Sequence, residues 1–198
     1  MFITNRLGLI EGTETMLAQE QRMNQISNNL ANVDTTGYNK ENITFWEMMF
    51  TAADNRPRVG KALKPLISHE QGGIKTTDSP LDVAINGPGF FQIQTPDGVR
   101  YTRNGNFTLN AEGQLSTASG NLVLGDGGAI ALENEKIQIG RDGQISANGQ
   151  VINQLTLVNF EDVNALEKEG ETLFRLKDNT VLAVPLETQN IQQGYLEG

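Results

Sequence analysis

Two hydrophobic periods divide this chain. From about Asn5 to Val33 the apolar positions repeat every seven residues, at Leu9, Met16, Met23 and Leu30. A parallel track at Gly12, Gln19, Ile26 and Val33 is apolar only in its second half, and Leu7, Ile10 and Leu17 widen the stripe near the start. The spacing predicts an amphipathic helix of about 28 residues, roughly 42 Å long. One filled track and one half-filled track suit a helix that packs against other helices, not a strong two-stranded coil. Burial on its own domain's core is the simpler alternative. The helix is terminal, long and followed by few further helix-period segments, which favours burial against other chains or a missing segment.

The stretch Ile26–Lys40, ISNNLANVDTTGYNK, separates this helix from everything after it. Asn28, Asn29, Asn32, Asp34, Thr35 and Thr36 carry side chains that bond nearby backbone and compete with a helix. Gly37 suits a left-handed exit just past a helix end. Residues 37–75 read as an extended connector, because Pro57, Pro65 and Gly72-Gly73 forbid a continuous helix. Its apolar cluster, Phe45, Trp46, Met48, Met49 and Phe50, fits a short helix, a docking patch or a local mini-core. The basic residues Arg56, Arg58, Lys61 and Lys64 follow; they form a solvated run or a place where subunits meet.

From about Thr76 the period becomes two. Val83 and Ile85, then Phe91 and Ile93, alternate on either side of Gly87-Pro88-Gly89. Turn dipeptides recur at Asp97-Gly98, Asn104-Gly105, Glu112-Gly113, Asp142-Gly143 and Asn148-Gly149. This is the pattern of hairpins in an antiparallel sheet. Arg103–Leu115 is weakly echoed by Arg141–Val151, which predicts similar hairpins but no solenoid. Leu155–Phe160 and Leu173–Leu176 read as strands, Glu167–Glu171 as a solvated turn, and Val181–Leu186 as the last apolar run. The expected fold class is mainly β, a hairpin-rich antiparallel domain with a long N-terminal helix. Its divisions are an assembly helix and exit motif at 1–36, the connector at 37–75, the β domain at 76–193 and a final segment at 194–198.

Charge and composition narrow the function. The chain has 198 residues, 37% of them hydrophobic, no cysteine and a net charge of −9. Residues 67–198 hold 17 of the 24 acidic side chains and 8 of the 15 basic ones. So acidic a β region argues against nucleic acid, which needs a basic face. Lack of cysteine excludes disulfides and thiolate metal sites. The single histidine, His69, lacks a second histidine four residues away for a helical zinc pair, and no serine stands in a nucleophile elbow. The Gly-rich stretches at 87–89 and 125–128 lack a P-loop's Lys-Ser/Thr and a dinucleotide fingerprint's third glycine. Asp78 and Asp82 could pair as glycosidase carboxylates, but acids in turns are ordinary. The expectation is a protein with no catalytic residues, cofactor, metal or small-molecule substrate. No basic, apolar leader and no membrane-length apolar run is present, which by itself predicts a cytoplasmic protein without membrane insertion.

Three phrases resemble the rod and hook proteins of the bacterial flagellum. Asn29-Leu30-Ala31-Asn32 followed by Thr36-Gly37-Tyr38, with Phe45 beyond, is similar to their N-terminal motif. Asp82–Phe91 resembles the start of their β domain, and Tyr101–Phe107 with Gly113-Gln114-Leu115 the hairpin that follows. The resemblance implies a structural subunit of the basal-body rod, assembling with copies of itself and other axial proteins into a tubular drive shaft. It implies export through the flagellar type III channel without a cleaved signal peptide, and residence in the periplasm-spanning rod. The helix seam would be Leu9, Met16, Met23, Ile26 and Leu30, lining the tube's inner core. Asn29, Asn32, Thr36, Gly37 and Tyr38 would fix the helix end and its exit turn. Asn121–Gly128 resembles the Gly-rich segment of the proximal rod branch, with the distal branch as second choice. Gln193–Gly198 resembles the phrase that introduces a C-terminal helix, and a truncated C-terminus is expected from it. A secreted β-rich binding module, an adhesin or phage-tail-like protein with an oligomerisation helix, is the alternative.

Overall fold

A computed structural model describes all residues except 1, 52–56, 69–70, 133–136, 171, 178–180 and 187, with backbone alone at 2–12, 14, 43–51 and 57–67. The chain forms two compact units. The first comprises residues 1–33 and 39–68, the second residues 34–38 and 69–198. Mostly antiparallel β with one long N-terminal helix, the fold class is the one the two periods predict.

In the first unit, helix α1 runs Phe2–Ala31. Strands β1 (Glu41–Thr51) and β2 (Pro57–Ile67) pair antiparallel along their full length, from Glu41 opposite Ile67 to Thr51 opposite Pro57. The expected connector is thus extended in backbone, and its two halves pair with each other. Both strands are edges of a two-stranded ribbon, where proline's missing N–H is tolerated, so Pro57 and Pro65 stop a helix without stopping a strand. The aromatic cluster lies on β1, but its side chains lie outside those described, as do those of Arg56, Arg58, Lys61 and Lys64. His69 is also outside the described residues. Amides tie helix to ribbon: Asn29 Nδ2 donates to the Glu41 carbonyl at 2.9 Å and its Oδ1 accepts the Glu41 N–H at 3.2 Å. Gln25 Nε2 donates to the same carbonyl.

The second unit is built from short strands. These are β3 (Ile74–Thr76), β4 (Val83–Ile85), β5 (Phe91–Thr95), β6 (Gly98–Thr102), β7 (Phe107–Leu109), β8 (Leu115–Thr117), β9 (Leu122–Gly125) and β10 (Gly128–Ala129). There follow β11 (Ile137–Ile139), β12 (Gln144–Ala147), β13 (Gln150–Gln154), β14 (Val158–Asn159), β15 (Leu166–Glu169) and β16 (Leu173–Leu176). The last are β17 (Val184–Pro185), β18 (Ile191–Gln193) and β19 (Tyr195–Glu197). An eight-stranded sheet has the order β15-β16-β6-β5-β9-β8-β7, with β10 on β9. A three-stranded sheet runs β11-β12-β13, and three two-stranded pairs join β14 to β17, β18 to β4 and β19 to β3. The final segment of the chain therefore returns to strands 74–76 and 83–85, antiparallel.

Turn chemistry sets the registers. Thr95 opposes Gly98 across Pro96-Asp97, and Ala147 opposes Gln150 across Asn148-Gly149. Asn148 and Gly149 both have positive φ, 51° and 81°, the type I′ geometry that matches strand twist. The internal echo is real but shifted. Gly113 N–H bonds Asn110 O and Asn110 N–H bonds Gln114 O; Gly143 N–H bonds Gly140 O and Gly140 N–H bonds Gln144 O. Residues 110–115 and 140–145 are thus the equivalent turns, each delivering a fully buried residue, Leu115 or Ile145. Those two side chains join Val83, Ile85, Phe91, Ile93, Val123, Ile130, Leu155, Leu157 and Ile191 in one core. Each full burial of such a side chain is worth about 1.5–3 kcal/mol.

Two strand readings differ. Leu155–Phe160 supplies four buried apolar side chains, but only Val158–Asn159 is a strand, since Leu155 bridges Gly125 and Val158 bridges Phe90 in different places. Glu167-Lys168-Glu169 belongs to edge strand β15 and the turn follows at Gly170, φ +74°. Charged residues suit an exposed edge as well as they suit a turn.

Candidate functional site

The helix comes first. Among its described side chains, Met16, Leu17, Met23, Ile26 and Leu30 are all exposed, Met16 by 74% and Leu30 by 69%. Four of these are the expected seam; the side chain of the fifth, Leu9, lies outside those described. An apolar row on one helix, left in water, forgoes the packing from which helices in proteins draw most of their stability.

The expected exit motif divides between the units. Asn29 holds the start of β1 as described, a task beyond closing a helix end. Asn32 does close it. Its N–H bonds the Asn28 carbonyl at 3.2 Å, and its Nδ2 donates to that carbonyl at 2.9 Å and to Asn28 Oδ1 at 3.2 Å. Thr36, Gly37 and Tyr38 belong to the second unit. Gly37 has φ +68°, and its N–H donates to the Glu197 carbonyl at 2.9 Å. A Cβ there would stand 2.5 Å from the backbone nitrogen of Asn104, so both conformation and space require glycine. The Tyr38 ring receives the Lys168 ammonium 4.0 Å from its centroid, a cation–π contact. Thr36 is half-buried beside them.

Beneath Gly37 lies a buried polar hub that residue patterns did not disclose. Arg103 Nε donates to Glu197 Oε2 at 2.8 Å, and both side chains are buried. The remaining guanidinium donors reach the carbonyls of Gly89 and Gly87 at 3.0 and 3.1 Å. The second oxygen of Glu197 accepts the Gly72 N–H at 2.8 Å. Close by, Asp82 Oδ1 accepts from Asn106 Nδ2 at 2.8 Å, while the Asp82 carbonyl accepts the Gly194 N–H. Gly105 passes so near the Val83 carbonyl that a Cβ would collide with it. The hub sews together Gly72, Gly87–Gly89, residues 103–106 and the final strand, all far apart in sequence. Its arginine lies inside the Tyr101–Phe107 phrase, but nothing in the residue pattern there marks it as buried or names its partner. No buried side-chain polar atom among those described lacks a partner, and an orphaned group is where chemistry would be sought. Among the described residues there is no cluster of three metal-ligating side chains, and no helix is long and apolar enough to cross a membrane.

Two family models match the chain in its two parts. The flagella basal body rod protein model matches residues 12–39, the later two thirds of the helix and its exit. The flagellar hook protein FlgE/F/G D1 domain matches 84–147, from β4 to β12. The flagellar basal-body rod protein FlgG of Buchnera aphidicola subsp. Schizaphis graminum is 37% identical over 91% of this chain and 80% of its own length. The chain belongs to the flagellar basal-body rod protein family. Other relatives of this rod-family chain are the rod protein FlgF of Caulobacter vibrioides, 32% identical over 96% of the chain and 80% of its own length, and the hook-basal body complex protein FlhO of Bacillus subtilis, 30% identical over 84% and 73%. The rod-family chain is therefore a structural component of the flagellar basal body and not an enzyme. Relatives named FlgG and FlgF both match it, and nothing among them favours an adhesin.

Proposed function

We infer that this chain builds the rod through its helix, which packs in the tube's inner layer against copies of itself and other axial subunits. The observation that supports this is the exposed row of Met16, Met23, Ile26 and Leu30 on a helix whose β unit already has a closed core of its own. Leu9 continues the same seven-residue track. The β unit forms the outer layer. Asn29 and Asn32 anchor the helix end within the first unit; Thr36, Gly37 and Tyr38 seat the exit turn on the second. The subunit leaves the cell through the flagellar export channel without a cleaved signal peptide and resides in the periplasm-spanning rod.

The test is to place one charge in the row. Met23→Glu or Leu30→Glu should abolish growth of tubes in purified full-length protein, read by light scattering and negative stain, with the thermal transition of the β unit unchanged. Tubes of normal dimensions from the Met23→Glu, Leu30→Glu double variant would remove the helix from the assembly.

A further inference from the structure

The second unit holds two apolar features outside its core, and together they describe a contact between copies. Its exposed large hydrophobics, among the described residues, are Val99, Val151, Ile152, Leu182 and Val184. Four of the five fall in two places. Val151, 62% exposed, and Ile152 stand side by side on β13. They do so because the register slips between Ile145 and Ser146, so that Ile145 faces Asn153, Ser146 faces Val151, and Ile152 is the extra residue. A bulge of this kind breaks the in-out alternation and leaves neighbouring side chains on the solvent side. Leu182, 76% exposed, and Val184 line an open groove with Val181, bordered by Glu161 and Asp162. The knob lies on the sheet β11-β12-β13, whereas the groove is formed by the segments that follow β14 and lead into β17.

The edge strand β15 and the far side of β13's own sheet differ from β13. Its own sheet is closed on the far side, where Gln193 Nε2 donates to the Ile137 carbonyl at 3.0 Å and its Oε1 accepts the Ile139 N–H at 3.2 Å. The edge strand β15 carries Glu167, Lys168 and Glu169, with Glu167 and Glu169 both in ion pairs to arginine. Edges are ordinarily guarded by such charges or caps. By contrast, β13 lies in an uncharged run from Gly143 to Phe160.

Charge selects the occupant. Residues 67–198 carry 17 acidic side chains against 8 basic ones, so most faces of two such units repel each other. A neutral apolar knob approaches an acid-rimmed groove with no such cost, whereas an acidic knob could not. We propose that Val151 and Ile152 of one chain seat in the Val181–Leu182–Val184 groove of a second copy. Because knob and groove are different surfaces, the contact is heterologous and head-to-tail, the kind that continues into an open filament wherever its rotation does not close a ring. This rests on the assembly reading above and adds to it a contact between outer units.

The absence of native cysteine makes the test direct. Full-length Val151→Cys and Leu182→Cys chains are treated with a short bismaleimide, singly, mixed and as the double variant. Covalent dimers are expected from the mixture, a ladder of higher species from the double variant, and no dimer from either single variant alone. Adding Ile152→Asp to the Val151→Cys chain should reduce the mixed product at least tenfold without moving its thermal transition. Dimers from Val151→Cys alone would show β13 pairing with itself and overturn the proposal, as would a mixture that gives none. Light scattering of the same samples reads the helix separately. Assemblies without the 151–182 product overturn this contact and leave the helix reading standing. A ladder from a Met23→Glu double-cysteine chain that forms no tubes supports the contact with the helix reading intact.

Discussion

Helix α1 and the β unit handle their apolar residues in opposite ways. The β unit buries Ile93, Leu115, Ile145, Leu155 and Leu157 completely and leaves five described large hydrophobics exposed, in compact places. The helix presents Met16, Met23, Ile26 and Leu30 in a row to solvent. Polar groups diverge in the same way. In the β unit the Arg103–Glu197 pair is buried and every described donor around it is matched, which the low dielectric of an interior makes compulsory. At the helix end, Asn32 stays at the half-exposed surface and bonds Asn28, one turn back. The contrast separates where stability resides from where association resides. A closed core folds by its own contacts, whereas an open stripe has its energy still to gain.

The largest effect that would sharpen this contrast lies in the hub. Arg103→Ala leaves Glu197 buried without its cation, and a broken buried pair costs about 3–5 kcal/mol. The β unit should lose that much in urea unfolding, while the helix signal per assembled chain stays the same. A change under 1 kcal/mol would mean that the hub is not what holds the final strand. Next comes Gly37→Val, where a β-branched residue must take φ +68° and meets Asn104. About 1–3 kcal/mol is expected for the strained backbone. Because the turn relieves that strain by leaving its seat, assembly should suffer more than the thermal transition. Normal rods in a motile strain carrying this substitution would end the role assigned to the turn.

Smaller again is the effect of removing residues 1–33. The second unit begins at Asp34, so a chain from residue 34 onward should keep a cooperative transition within a few degrees of the intact protein. A molten or insoluble product would break the comparison, by showing that the β core is not self-sufficient. The smallest stability change is expected for Met23→Glu, an exposed site where substitutions stay within about 0.5 kcal/mol, although tube growth is lost. A shift of several degrees would mean that Met23 already packs inside the monomer.

Much of this architecture was legible, for local reasons. A seven-residue period suits a helix, and Asn148-Gly149 between alternating segments a tight hairpin turn; Asp97-Gly98 marks its hairpin one residue late, and Asn104-Gly105 joins β6 to β7, which do not pair. Leu173–Leu176 was readable as a short apolar run broken only by Arg175. What could not be read was non-local. The pairing of 41–51 with 57–67 depends on two strands that each look like a connector, with prolines whose meaning differs between a helix and a ribbon edge. The hub joins Arg103 to Glu197 across 94 positions, and nothing near either residue names the other.

The exit motif shows the boundary between the two kinds of information in two residues. That Gly37 would take a left-handed conformation follows from its place after a helix end, since the cost of positive φ belongs to the residue itself. That it must also lack a side chain, because Asn104 lies against it, depends on where a distant segment comes to rest. Asn29 carries the same lesson in reverse: its residue type predicts a backbone partner, and the fold supplies Glu41, on the far side of the turn. By itself the sequence determined the periods, the turns, the acidic β surface and the family. The tertiary structure alone decided which strands pair, which buried charge meets which, and which apolar residues remain uncovered, because each depends on distances that no local propensity encodes.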